Sequence, residues 1–197
     1  MIKTTHRAFH AVAWAMAIIG GAVLLALVLM LCVSIFGRMV STILHSAWAT
    51  ANIPGLARWL IDAGIGPIYG DYEFLTVGLA FCVFCFLGWC QITAGHATVD
   101  VFTTGLRDRA RRVLQMLIEV LFAAALVLIA VQLYDGVGTM MRRGSTTFLL
   151  QYPMWWNYVV VFVPAALTAL IGVWMALVRI AEMLAGQPLI SVLGAEH

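Results

Sequence analysis

Four cysteines and five histidines are the side chains of this 197-residue sequence best suited to redox or metal chemistry. Cys82-Val83-Phe84-Cys85 has the CxxC spacing of dithiol redox sites. It lies inside an apolar run, where a thiolate is strongly disfavoured and small residues serve close helix packing instead. A quinone-linked disulfide oxidant would carry cysteine pairs in its outer loops, and those loops hold none. Haem ligation needs histidines that face one another inside a bundle. His6, His10 and His197 are terminal, His45 follows the first apolar run, and His96 sits in a connection, so a cytochrome is disfavoured. The only lysine, Lys3, is in the N-terminal tail, which removes phosphate-loop and Schiff-base chemistry from the body of the chain. HExxH, GxSxG and GxGxxG are absent. The expectation is therefore no catalytic residue, no cofactor and no metal ligand, and no ATPase activity by this chain alone.

What remains are isolated polar groups at telling places. Glu119 interrupts an apolar run seven residues past Arg112, about 10 Å along a helix. It should face other helices or a partner; the alternative is a neutral or snorkelling carboxyl satisfied locally. Asp71 and Glu73 stand where a helix begins, so they suit its dipole, with a binding role as the alternative. His96 and Asp100 would share a face if their segment were helical, but Thr98, Val99, Val101 and Phe102 favour extended chain. Their expected role is to hydrogen-bond the connection into a fixed shape; a proton relay is the alternative. Arg142 and Arg143 fall in a short connection that ends at Pro153.

The elements that position these groups are membrane helices. Hydrophobic residues make up 63% of the chain and charged ones 10%, against roughly a quarter charged in soluble domains. One soluble core cannot hide that much apolar surface. Four stretches approach the roughly 20 apolar residues needed to cross a bilayer: spans of about 11–36, 72–92, 113–134 and 154–178. No alternating ten-residue segments suggest a barrel. Between the first two spans, Leu56, Trp59, Leu60 and Ala63 fall at i, i+3, i+4 and i+7, which predicts an interfacial amphipathic helix over about 54–65, with a solvated loop as the alternative. The expected fold is an all-α integral membrane protein, a single membrane domain over 1–197, with four transmembrane helices in an up-down arrangement. Seven basic residues fall on the side of the N-terminus and four on the other, which places both termini in the cytoplasm. The first apolar run has 26 residues, too long for a signal peptide. Ala13, Ala17 and Gly21 form a row suited to close helix contact, within the chain or with a partner. Membrane lipid is an expected partner. A formal charge of +2 without a basic stripe argues against nucleic acid.

The run Gly95-His96-Ala97-Thr98-Val99-Asp100 resembles the GHxxVD-type signature of the small membrane subunit, DctQ type, of tripartite ATP-independent periplasmic (TRAP) transporters. Gly70-Asp71-Tyr72-Glu73 before the second span, Trp89-Cys90-Gln91 at its end, and Gly144 to Trp156 before the last span are similar to the same family. The resemblance covers roughly 70–178. It implies a non-catalytic subunit of the bacterial inner membrane that braces a large multi-span permease subunit. That partner holds the substrate and ion sites and moves as an elevator. A periplasmic solute-binding protein delivers the solute, often a carboxylate, and a sodium or proton gradient drives uptake. A haem- or quinone-associated anchor of an oxidoreductase is the alternative from another class, and a Soret band in the visible spectrum would favour it.

Overall fold

The computed structural model describes residues 2–46, 51–52, 54–62, 64, 66–93 and 108–185. Five long or short helices are named within them: α1 (Ile2–Leu44), α2 (Pro54–Asp62), α3 (Asp71–Ile92), α4 (Asp108–Arg143) and α5 (Trp155–Ala185). Four are long and apolar enough to cross a membrane, through Thr4–Leu44, Asp71–Ile92, Val113–Arg143 and Trp155–Leu184. Helix α2 has nine residues, about 14 Å of rise, and cannot span.

Three of the long helices exceed their apolar runs. Helix α1 has 43 residues, about 64 Å, roughly twice the hydrocarbon thickness. Helix α4 continues past Tyr134 to Arg143, so Arg142 and Arg143 stand in its last turn and not in the following connection. Cations are favoured there because the last carbonyls carry the negative end of the helix dipole. Gly144, at φ 60°, then turns the chain out of the helix, and its N–H donates to the Met140 carbonyl at 3.2 Å.

Helix α1 packs on α3, α3 on α5 and α5 on α4, while α1 meets α5 over a limited stretch. Along α1 the buried positions are Ala13, Met16, Gly20, Leu27, Ser34, Gly37 and Leu44. Steps of three, four and seven are the signature of a coiled-coil seam. The contacts have a definite register. Ser34 meets Asp71, Leu27 lies over Gly78, Gly20 lies over Cys85, and His10 meets Trp89. Rising along α1 thus means descending along α3.

Glycines make these approaches possible. A Cβ on Gly20 would stand 2.7 Å from the Cys85 Cβ, and one on Gly88 would stand 2.9 Å from the Thr168 hydroxyl. The row Ala13, Ala17 and Gly21 is not the seam: a Cβ on Gly21 would meet nothing within 4 Å. The row advances by four residues, whereas a seam between supercoiled helices averages 3.5, so the two diverge after Ala13.

Two polar contacts staple the neighbours at mid-height. Thr168 Oγ1 donates to the Phe84 carbonyl at 2.8 Å, and Cys82 Sγ donates to the Gly20 carbonyl at 3.2 Å. Cys85 is buried beside the same glycine. The CxxC pair is thus engaged in helix packing. Its replacement by Cys82→Ser and Cys85→Ser is expected to leave uptake by the assembled transporter the same with and without reductant; activity that requires oxidised wild-type cysteines would contradict this.

Candidate functional site

Polar groups gather at the two ends of the bundle. At the end where α1 finishes and α3 starts, Gly70 adopts φ 79° ahead of the first turn of α3. Asp71 follows and collects three donors. Ser34 Oγ donates to its Oδ2 at 2.5 Å, Tyr72 N–H to its Oδ1 at 2.8 Å, and Arg38 Nη2 reaches Oδ2 at 3.3 Å. The Tyr72 contact is the favourable placing of a carboxylate at a helix start. Arg38 remains largely exposed, so the ion pair contributes more to orientation than to stability. Ser34 Oγ also accepts the Ile68 N–H at 3.3 Å, which ties the chain before α3 to α1.

Glu73 faces a different element. The Leu149 N–H donates to Oε1 at 2.7 Å and the Leu150 N–H to Oε2 at 3.3 Å. Both amides belong to the connection between α4 and α5. That connection is folded on itself by the Thr147 N–H to Tyr152 carbonyl bond at 2.9 Å and the Met154 N–H to Ser145 carbonyl bond at 2.8 Å. Leu150 packs where a Cβ on Gly70 would have to go. One carboxylate therefore fixes a connection 76 residues away in sequence. Glu73→Ala is expected to leave two backbone donors without their acceptor and to loosen the connection. A nitroxide label at Phe148→Cys would then show faster motion, with partial recovery in Glu73→Gln, which keeps one acceptor oxygen. Unchanged label mobility in Glu73→Ala would contradict the clamp.

At the opposite end, Gln91 Nε2 donates to Glu119 Oε2 at 2.5 Å, with both residues buried. This bond joins α3 to α4, helices whose main packing partner is in each case another helix. On α5, Arg179 Nη1 pairs with Glu182 Oε2 at 2.9 Å, and Glu182 is also buried. Around them, Phe9 stacks on Trp174 at 5.5 Å and His10 meets the Trp89 ring edge at 5.0 Å. His10 is thereby engaged with an indole.

The residues singled out from the sequence thus fall into separate places. Glu73 and Glu119 lie at opposite ends. Arg142 Nη2 approaches Thr139 Oγ1 at 3.5 Å, and Arg143 is exposed beside it. His96 and Asp100 lie outside the described residues. Among the described residues, no group of three or more His, Cys, Asp or Glu side chains is arranged to hold a metal ion. Ser34, Gln91, Arg179 and Glu182 were missed as site residues. Ser34 and Gln91 had a signal: each is a polar residue within or closing an apolar run, and such residues seek partners in neighbouring helices.

The carboxylate junctions at both ends, and the chain from Leu27 to Met183, fall inside one family match. Residues 27–183 match the family described as tripartite ATP-independent periplasmic transporters, DctQ component. The chain belongs to the DctQ family. No curated protein and no solved structure matches it. As a DctQ protein it is a small membrane subunit of a TRAP transporter, multi-pass in the bacterial inner membrane. DctQ subunits function with a large membrane subunit and a periplasmic binding protein. The DctQ match begins at Leu27 and ends at Met183, so it includes the Asp71, Glu73 and Gln91–Glu119 junctions.

Proposed function

We propose that this DctQ chain is a non-catalytic brace that holds the stationary part of the large subunit in the bilayer while that subunit carries the solute. The observation that carries the proposal is how the chain spends its polar groups. Described carboxylates at both ends are engaged with the chain's own helices and connections: Asp71 and Glu73 at one, Glu119 and Glu182 at the other. The stretch between them offers packing contacts and wide apolar faces, with Trp14, Leu25, Leu121 and Leu128 each more than half exposed. A rigid apolar body with locked ends suits a support for a moving partner. The solute is a carboxylate delivered by the periplasmic binding protein, and an ion gradient, sodium or proton, drives its uptake.

In this arrangement the four long helices run up and down, both termini are cytoplasmic, and α2 lies along the outer interface. The distribution of Lys and Arg supports that orientation. So does the stacked Trp155–Trp156 pair, with ring centroids 4.7 Å apart at the start of α5, as an outer aromatic anchor. Helix α2 widens the footprint and resists tilting, and Glu73, Arg142 and Arg143 then face the periplasm. His96 and Asp100 shape the cytoplasmic connection between α3 and α4.

The pairing is tested by co-expression with the large subunit and affinity capture of this chain. A stoichiometric complex that survives detergent is expected. A small subunit that purifies alone while the large subunit elutes free and fully active would contradict the proposal. Labelling of Arg143→Cys by an impermeant maleimide from the periplasm checks the orientation, and labelling only after cell lysis would reverse it.

A further inference from the structure

Helices α1 and α5 touch near one end, where Phe9 stacks on Trp174 and Ala13, Met16, Ile171 and Met175 share a buried cluster. Farther along α1 the two helices part, and a wedge of about 710 Å³ opens between them over α3. Its floor is Phe74, Val77 and Gly78, and its walls include Val23, Met30 and Val160. Polar atoms enter only at the mouth, with Tyr152, Trp156 and Asn157. There the Tyr152 hydroxyl donates to Asn157 Oδ1 at 2.6 Å. The amide's Nδ2 hydrogens are left without a protein acceptor among the described residues.

We propose that this wedge holds one acyl chain of a membrane phospholipid, with the lipid's ester carbonyl accepting from Asn157 Nδ2. A carbon-lined gap inside a bilayer is a poor site for water, and leaving it empty forfeits dispersion contacts along three helices. The lining decides against a docked helix. Helices in membranes approach one another through small residues; here Gly78 lies in the floor and Ala26 in a wall, but Met30, Trp156 and Val160 stand bulky at the rim. A flexible hydrocarbon chain conforms to such a rim; a rod about 10 Å across does not. The polar mouth beside the Trp155–Trp156 stack has the ester-then-hydrocarbon order of a glycerophospholipid at an aromatic belt. This inference stands apart from the bracing role and holds whichever solute the transporter carries.

The test uses the full chain, purified and then exposed to palmitoyl-oleoyl phosphatidylethanolamine, with native mass spectrometry after detergent exchange. One tightly retained phospholipid is expected. Ala26→Trp and Val23→Trp, each placing an indole in the wedge, should abolish retention with helical content unchanged by circular dichroism. Asn157→Leu should weaken it about two- to tenfold, the loss of one hydrogen bond. Retention in both filled variants equal to wild type, or no retained lipid in wild type, would overturn the proposal. So would cross-linking of Ala26→Cys to the large subunit across the wedge in the assembled transporter, which would put a protein segment there.

Discussion

Replacing Gln91 by leucine is expected to produce a large loss of stability from a single side chain. Gln91 is fully buried and supplies the donor at 2.5 Å to Glu119, itself buried on α4. Removing the amide leaves the carboxyl without that partner in a place where water does not compensate. A buried polar group stripped of its partner costs about 1–3 kcal/mol, and more if charged. For a chain of this size each kcal/mol lowers the melting temperature by about 2–4 °C. The melting curve of the detergent-solubilised protein, followed by tryptophan fluorescence, reads the loss directly, since Trp89 lies two residues away. The double variant Gln91→Leu with Glu119→Leu should recover most of it, because replacing both partners by apolar groups can be nearly neutral. A Gln91→Leu variant with wild-type melting would show that the pair does not hold α3 to α4.

Gly20→Ala is the second large effect, and it isolates one atom. The new Cβ would lie 2.7 Å from the Cys85 Cβ, a distance that forces α1 away from α3. Overpacking of this kind costs about 1–3 kcal/mol. The neighbouring change Gly21→Ala meets nothing within 4 Å. It should be neutral or gain up to about 1 kcal/mol from helix propensity. Cys85→Gly removes the atom that Gly20→Ala strikes, so the double variant should melt above Gly20→Ala alone. Equal melting of the Gly20 and Gly21 variants would refute the position of the seam.

How far the sequence foretold this can be judged residue by residue. The four membrane helices were legible because apolar runs such as Ala11–Phe36 leave no other solvent than lipid. The ends of the second span and the start of the fourth were legible to within one residue, but the ends of α1 and α4 and the far end of α5 were not. Helix α4 continues through Gly136 and Gly138 to Arg143, beyond the apolar run, because packing against α5 sustains it after the hydropathy signal stops. The row Ala13, Ala17 and Gly21 suited close contact within the chain or with a partner; within the chain the seam runs through Gly20 instead, a choice the sequence could not make because a run apolar all round carries no moment to say which face is inward. Glu119 was recognisable as a charge in an apolar run, yet its partner Gln91 lies 28 residues away and only the folded register brings them together. Glu73 was read as a group suited to the helix dipole, with binding as the alternative. Its bonds to Leu149 and Leu150 link segments whose proximity no local pattern encodes.

Uptake into proteoliposomes is the measurement closest to the central proposal. The large subunit would be reconstituted alone, with this chain, and with this chain carrying Gly20→Ala, each supplied with the binding protein, a labelled carboxylate solute and an imposed ion gradient. Bracing predicts strong uptake only with the wild-type chain, weak uptake with the seam variant, and intact solute binding by the periplasmic protein throughout. Full uptake by the large subunit alone, or uptake by this chain without it, would contradict the account.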